Sequence, residues 1–174
     1  MKDPLTNKIQ AIIVAIVAAA VLAGLYFWLY RGAPEQTPTP SPSERTINLY
    51  YYNPANDQGP GGAQCSRNGL VAVNRQIPLT DTPIQDAIRL LLRGQLFAEE
   101  RAQGITTEYP LEGLSLKGAL LKDGVLTLEF DDSKNKTVGG SCRVGILWFQ
   151  IEATAKQFPG VRQVRFLPEE IFQP

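Results

Sequence analysis

A long apolar run near the start of the chain restricts its folding more than any other feature. Ile9 to Tyr30 is 22 residues long, and Gln10 is its only strongly polar member. As a helix rising 1.5 Å per residue, this run would be about 33 Å long, enough to cross the roughly 30 Å hydrocarbon core of a bilayer. The sequence therefore predicts a single transmembrane helix over residues 9–30.

The composition of this run favours an anchor that stays attached to the protein. A secretory signal has about 7–15 apolar residues followed by a cleavage site of small residues, whereas this run continues through Tyr26, Phe27 and Trp28. Leu22-Ala23-Gly24 resembles the approach to a lipoprotein cleavage site, but position 25 is leucine and not the cysteine that would carry lipid. We favour an uncleaved anchor over a cleaved signal or a buried core helix.

The residues that flank the run predict its orientation and the compartment of the rest of the chain. Lys2 and Lys8 precede it, so the positive-inside rule places residues 1–8 in the cytoplasm. Residues 31–45 include "PTPTPSPS", a composition typical of an extended, stiff spacer. We expect a single-pass protein of the cell membrane whose C-terminal domain, residues 46–174, lies outside the cytoplasm.

Five strands are predicted in this domain, two of them in a hairpin over residues 114–130, "LSLKGALLKDGVLTLEF". Residues 46–53, "TINLYYYN", and 70–78, "LVAVNRQIP", are rich in β-branched and aromatic types. Asp123-Gly124 suits a tight hairpin turn, and Leu126, Leu128 and Phe130 would share one face of the strand that follows. Residues 161–168, "VRQVRFLP", complete the set.

Two helices are predicted between these strands. The first has Thr82 as a candidate cap, Pro83 at the first helical position and Gly94 at the C-terminal end. The second runs from Ser141 to Phe158, with apolar residues at helical spacing. The predicted fold class is α+β, a two-layer sandwich of a mixed β-sheet with two helices on one face, preceded by the transmembrane helix.

Composition excludes several kinds of function. From Thr46 onward the chain has 13 basic and 14 acidic residues, which gives no positive field for nucleic acid. The whole chain lacks histidine, the commonest general base and metal ligand. The segment that begins at Asp131 resembles a calcium loop, but Cys142 stands where a bidentate glutamate belongs. We predict no enzyme activity, no cofactor and no metal site.

The two cysteines, Cys65 and Cys142, both lie in the domain predicted to be exported, where disulfides persist. A bond between them is favoured over two free structural thiols. A reactive Cys142 thiol at a helix N-terminus is the third reading, but no histidine is present to act as its base.

Other side chains are candidates for contact with a partner. Arg75 lies in a predicted strand and would form either a surface salt bridge or a contact with a partner or an anionic cell-wall group. Tyr50, Tyr51 and Tyr52 lie in the first strand, where at least one must face outward and could stack on a sugar. Tyr50 and Tyr52 are therefore named with Arg75 as candidate partner-binding residues.

The order of these motifs resembles the GerMN domain, the "sporulation and spore germination" family of bacterial envelope proteins. The matching stretches are Tyr50-Tyr51-Tyr52, Leu70-x-x-Val73-x-Arg75-x-Ile77, Pro83-x3-Ala87-Ile88-x2-Leu91-Leu92-x-Gly94, "GITTEYP", Asp123-Gly124, "LTLEFD" and "FPGVRQVRF". The resemblance implies a non-catalytic fold similar to the ring-building modules of secretion and sporulation complexes, which assemble at membranes.

Two functions follow as expectations. The favoured one is a membrane-anchored interaction or scaffold module of the bacterial cell envelope, with envelope proteins or a second copy as partner. The alternative is a module that binds peptidoglycan or another envelope glycan. A scaffold should present an apolar or edge-strand surface, whereas a glycan binder should present a groove with exposed tyrosine or tryptophan.

Overall fold

The computed structural model describes residues 16–26 and 43–173, which belong to two units, residues 1–39 and 40–174. In the first unit residues 16–26 are helical. The remainder of the predicted anchor, the predicted cytoplasmic residues 1–8 and nearly all of the predicted spacer lie outside the described residues. Over the part of the chain that is described, no helix has both the length and the apolar character needed to cross a bilayer.

The second unit alternates strands and helices in the predicted order, with short elements added. Its strands are β1 (Glu44–Tyr52), β2 (Gln58–Gly59), β3 (Gly62–Ala63), β4 (Leu70–Pro78), β5 (Leu114–Lys122), β6 (Val125–Asp132) and β7 (Gln163–Leu167). Its α-helices are α1 (Pro83–Leu92), α2 (Ala98–Ala102) and α3 (Ser141–Lys156), and single 3-10 turns occur at Pro54–Asp57 and Arg67–Gly69. The short helix α2 and the β2–β3 ribbon were not predicted.

The strands form separate sheets. β1 pairs with β4 and β2 pairs with β3, both antiparallel. β5 and β6 form an antiparallel hairpin, and β7 lies parallel to β6 on its other side. The α+β class is thus confirmed, whereas the prediction of one mixed sheet is wrong, because only the β5–β6–β7 sheet is mixed.

A helix occupies the place beside β1 where another strand could have paired. The backbone N–H of Tyr50 donates to Thr154 Oγ1 at 3.1 Å, and that of Asn48 donates to Gln157 Oε1 at 2.8 Å. Gln157 Nε2 returns a hydrogen bond to the carbonyl of Asn48 at 2.6 Å. Because α3 satisfies this edge of β1 with side chains, the sheet ends there.

The helices bury one shared core against the sheets. Ala87, Ile88 and Leu91 of α1 are fully buried, and α1 contacts β1, β4, β5 and α3. Pro83 begins α1 and Gly94 follows its end with a φ of 62°, as predicted. Thr82 is the N-cap residue, as predicted, but its side chain makes no cap hydrogen bond.

The C-terminal segment completes this core, and the sequence analysis did not predict this packing. After β7 the chain turns back and buries Phe172, which has a φ of 57°. Its ring lies edge-on to Phe130 and Phe166, with centroids 5.6 and 5.4 Å away. Such arrangements are the favourable ones for aromatic pairs, so Phe172 fills the end of the core beyond the β6–β7 pair.

The β5–β6 hairpin turns where the sequence predicts. Asp123 and Gly124 have φ values of 50° and 81°, the positive values that a tight two-residue hairpin turn requires. Leu126, Leu128 and Phe130 of β6 are all buried, which confirms their predicted shared face.

Replacing Gly124 by valine should destabilise the protein by about 1–3 kcal/mol, since a β-branched residue resists positive φ. Its Cβ would also meet the Arg162 guanidinium. The matched control is Gly61→Val, because a Cβ there meets nothing within 4 Å, and its effect should stay within about 0.5 kcal/mol. Urea unfolding of both variants gives the comparison, and equal midpoints would contradict the turn assignment.

Candidate functional site

A disulfide joins the loop between β1 and β4 to the start of α3. Cys65 and Cys142 are bonded, with their Cα atoms 5.1 Å apart and a sequence separation of 77. Cys65 adopts a φ of 55° and lies before the turn at Arg67–Gly69. The bond therefore fixes residues 53–69, an otherwise long connection, against the helix.

An aspartate organises the interior of this loop. The buried carboxylate of Asp57 accepts hydrogen bonds from Tyr52 Oη at 2.5 Å, from the Ser66 N–H at 2.7 Å and from Ser66 Oγ at 2.5 Å. The bonds from Ser66 and Tyr52 hold the pKa of Asp57 below its usual value. Burial, with the bond to Asp57, raises the pKa of Tyr52 to about 12.

Tyr52 is consequently a structural residue in this geometry. It is 4% exposed, and its ring packs directly on Gly69, where a Cβ would overlap it. Tyr51 is also buried, and burial raises its pKa to about 12. Of the three tyrosines in β1, Tyr50 alone keeps a partly exposed side chain.

Arg75, the second candidate for partner contact, is engaged within the domain. Its Nη1 and Nη2 donate to the two carboxylate oxygens of Glu100, each at 2.7 Å, and Nη2 also donates to the Gln95 carbonyl at 2.9 Å. The guanidinium lies 4.2 Å from the ring centroid of Phe97. The two charged side chains are 10% and 14% exposed, and the hydrogen bonds from Arg75 lower the pKa of Glu100.

The contacts of Arg75 with Glu100 and Phe97 could not be predicted from the sequence alone. Glu100 stands 25 residues from Arg75 in the chain. The available signal was the arginine itself, which lies on the strand face that otherwise carries the buried Val73 and Ile77. An inward-facing charge of this kind requires a nearby partner.

The outer edge of β4 is uncovered in the described part of the chain. Asn48 and Tyr50 direct their N–H groups to α3, so their register partners Asn74 and Ala72 direct theirs away from β1. Gln76 follows by the two-residue alternation of the strand. Between residues 43 and 173, no other backbone segment pairs with these outward groups, although Arg75 Nη1 covers the Asn74 carbonyl at 2.8 Å.

A groove of about 350 Å³ runs between this edge and α1. We call it the β4–α1 groove. Apolar and polar side chains line it together, and Arg89 of α1 stands one helical turn before Arg93, the C-cap residue of that helix. The lining residues are Gln76, Ile77, Pro78, Thr80, Asp86, Arg89, Leu90 and Arg93.

The outer face of the β5–β6–β7 sheet is a second exposed surface. The register places Leu120, Thr127 and Arg165 in one row across the three strands. Leu120 is 65% exposed, and Leu167, in the next row, is also exposed. The helices pack against the opposite face, so these side chains meet no layer of the described structure.

Among the described residues, no group of three or more acidic or cysteine side chains is placed to hold a metal ion. The acidic segment after β6 is engaged internally, since Asp132 accepts hydrogen bonds from Lys136 N, Thr137 N and Thr137 Oγ1 at 2.8–2.9 Å. These features define a small α+β domain with a cross-linked loop and two uncovered surfaces.

The chain belongs to the sporulation and spore germination family. The model of that family, the Germane domain, matches residues 48–170, which confirms the resemblance found in the sequence. No curated protein sequence matches the chain.

Solved structures share the fold. The tandem GerMN domains of the sporulation protein GerM from Bacillus subtilis superimpose with a TM-score of 0.51 at 19% identity, covering 78% of this chain and 43% of that chain. The first GerMN domain of the same protein gives a TM-score of 0.49 at 17% identity, covering 70% and 80% of the two chains. At such identities the likeness shows the fold alone, and the chain spans less than half of the tandem-domain protein.

Removal of the disulfide should lower stability by up to about 4.5 kcal/mol, the chain-entropy value for a 77-residue separation. We expect no thiol to titrate in unreduced, denatured protein, and two after reduction. Unfolding should shift to lower urea concentration when reductant is added. The Cys65→Ser, Cys142→Ser double variant is the control, since reductant should not affect it; an equal shift in that variant would contradict the assignment.

The Arg75–Glu100 pair should make stability depend on acid pH. The folded pKa of Glu100 lies below its ordinary 4.5, so its stabilising effect is complete above that value and is lost as pH falls through the folded pKa. Glu100→Gln should cost about 1.5–3 kcal/mol at neutral pH, and this difference should shrink near about pH 3. Urea unfolding at both pH values tests this, with the exposed neighbour Glu99→Gln as the control; a difference independent of pH would contradict it.

Proposed function

We propose that this protein is a membrane-anchored, non-catalytic interaction module that acts outside the cytoplasm in the bacterial cell envelope. Its anchor is the apolar run over residues 9–30, and its partner is another envelope protein or a second copy. Membership of the sporulation and spore germination family supports an envelope role. The disulfide supports an oxidising compartment.

The uncovered outer face of the β5–β6–β7 sheet is the observation that carries this proposal. Leu120, 65% exposed, lies on the edge strand β5 beside Thr127 of the central strand β6. Gly118, also on this face, leaves open space beside Glu129, where a Cβ would meet only one atom within 4 Å. A flat face with exposed leucines suits contact with another protein surface.

The alternative, a glycan-binding module, has weaker support from the same structure. Sugar-binding grooves use exposed aromatic rings with convergent polar groups. Tyr51, Tyr52 and Tyr109 are buried, and Trp148 packs edge-on against Phe166 with centroids 4.6 Å apart. Between residues 43 and 173, Tyr50 remains as the candidate for stacking on a sugar, since the exposed ring of Phe97 already packs against the Arg75 guanidinium.

A photoreactive phenylalanine derivative in place of Leu120 should form a cross-linked adduct of discrete mass in native cells. The control position is Val138, which is 46% exposed and lies in the loop before α3, outside the sheet face. Adducts at position 120 and not at 138 support the interaction module, whereas no adduct at either position counts against it. Retention of the protein on purified peptidoglycan, lost in Tyr50→Ala, would favour the glycan alternative.

A further inference from the structure

We infer that the β4–α1 groove binds an extended acidic segment of a partner protein, which adds to the outer edge of β4 as a further strand. The inference rests on the proposed function, because it names a binding site and a partner chemistry for the interaction module. It uses a surface separate from the outer face of the β5–β6–β7 sheet. Three features of the groove support it: the strand edge, the two arginines and the spacing between them.

The strand edge supplies hydrogen bonds at one wall of the groove. Gln76 directs its backbone N–H and C=O away from β1, because it lies in the same alternation as Ala72 and Asn74. Such outward groups are a template for an added strand. Arg75 covers the Asn74 carbonyl, so pairing would be centred on Gln76, where the groove lies.

The opposite wall supplies positive charge. Arg89 and Arg93 are exposed, and neither side chain makes an ion pair or hydrogen bond within the described residues. Asp86 is the acidic side chain that lines the same groove, and the Thr80 hydroxyl donates to its carboxylate. The rim therefore carries a net positive charge with guanidinium groups available for carboxylates.

The spacing of the arginines suits a strand. Positions four apart on a helix differ by about 6 Å along its axis, and alternate residues of a strand are about 6.8 Å apart. Two acidic side chains at alternate positions of an extended segment would thus match Arg89 and Arg93 in separation. The apolar side chains of Ile77 and Leu90 also line the groove and can receive short side chains.

A second copy of this chain fits the groove poorly. β4 contains no acidic residue, so pairing of two copies through β4 would bring together two rims that each carry two arginines against the single carboxylate of Asp86. Like charges brought close together disfavour such pairing. The charge of the groove thus selects a foreign acidic strand over self-association at this edge.

The test measures binding of a defined peptide to the full-length chain. The probe is acetyl-Thr-Glu-Thr-Glu-Thr-Glu-Thr-amide carrying a fluorophore, and its affinity is measured by fluorescence anisotropy. Arg89→Glu and Arg93→Glu should each weaken binding about tenfold. Arg101→Glu makes the same charge change on α2, outside the groove, and should leave the affinity within about twofold.

Charge exchange tests the groove independently of any general effect on folding. The Arg89→Glu, Arg93→Glu double variant should bind the peptide in which lysine replaces each glutamate, which the natural chain should not. Equal losses in Arg101→Glu and the groove variants would overturn the inference. Absence of binding of the acidic peptide to the natural chain would also overturn it.

Strand addition also requires particular backbone N–H groups of the peptide. Only alternate N–H groups of an added strand point at β4, so N-methylation of one alternate set should abolish binding and N-methylation of the other should not. Equal effects of both sets would overturn the inference. If the peptide tests fail while cross-linking at Leu120 is retained, this groove is not the binding site, and the proposed function still holds.

Discussion

The hydrogen bonds from α3 to the edge of β1 determine how the rest of this fold is arranged. Thr154 and Gln157 satisfy backbone groups of Tyr50 and Asn48 that would otherwise pair with another strand. A buried unpaired backbone group costs about 1–3 kcal/mol, so these side chains allow a helix to lie where the sheet would continue. The sheet is thereby divided, and β4 is left with its other edge exposed beside α1.

Local signals predicted the elements, and long-range contacts determined their assembly. The Asp123-Gly124 turn, the start of α1 at Pro83 and the buried face of β6 follow from backbone preferences and from alternation that is visible within a few residues. The division into separate sheets depends on hydrogen bonds between residues 104 and 109 positions apart. Those bonds come from polar residues on α3, whose apolar pattern gave no indication that Thr154 would be buried.

The candidate binding residues likewise depend on long-range contacts that the sequence does not show. Sequence reasoning singled out Arg75 as a charge in a predicted strand, and Tyr50 and Tyr52 because a tyrosine of the first strand must face outward. In the structure, Arg75 and Tyr52 serve internal contacts. Tyr52 is held by Asp57, and Arg75 is held by Glu100. Arg89 and Arg93 passed unnoticed, since only the packing of α1 against β4 shows that they line a groove.

The burial of Phe172 has a consequence for the order of events during biosynthesis. Its ring packs against both Phe130 and Phe166, so the core is incomplete until residues beyond β7 have been made. β7 itself pairs in parallel with β6 across an intervening helix, and such non-local pairing forms slowly. A growing chain would therefore remain open through most of its synthesis, the state in which a polypeptide can be threaded through a translocation channel.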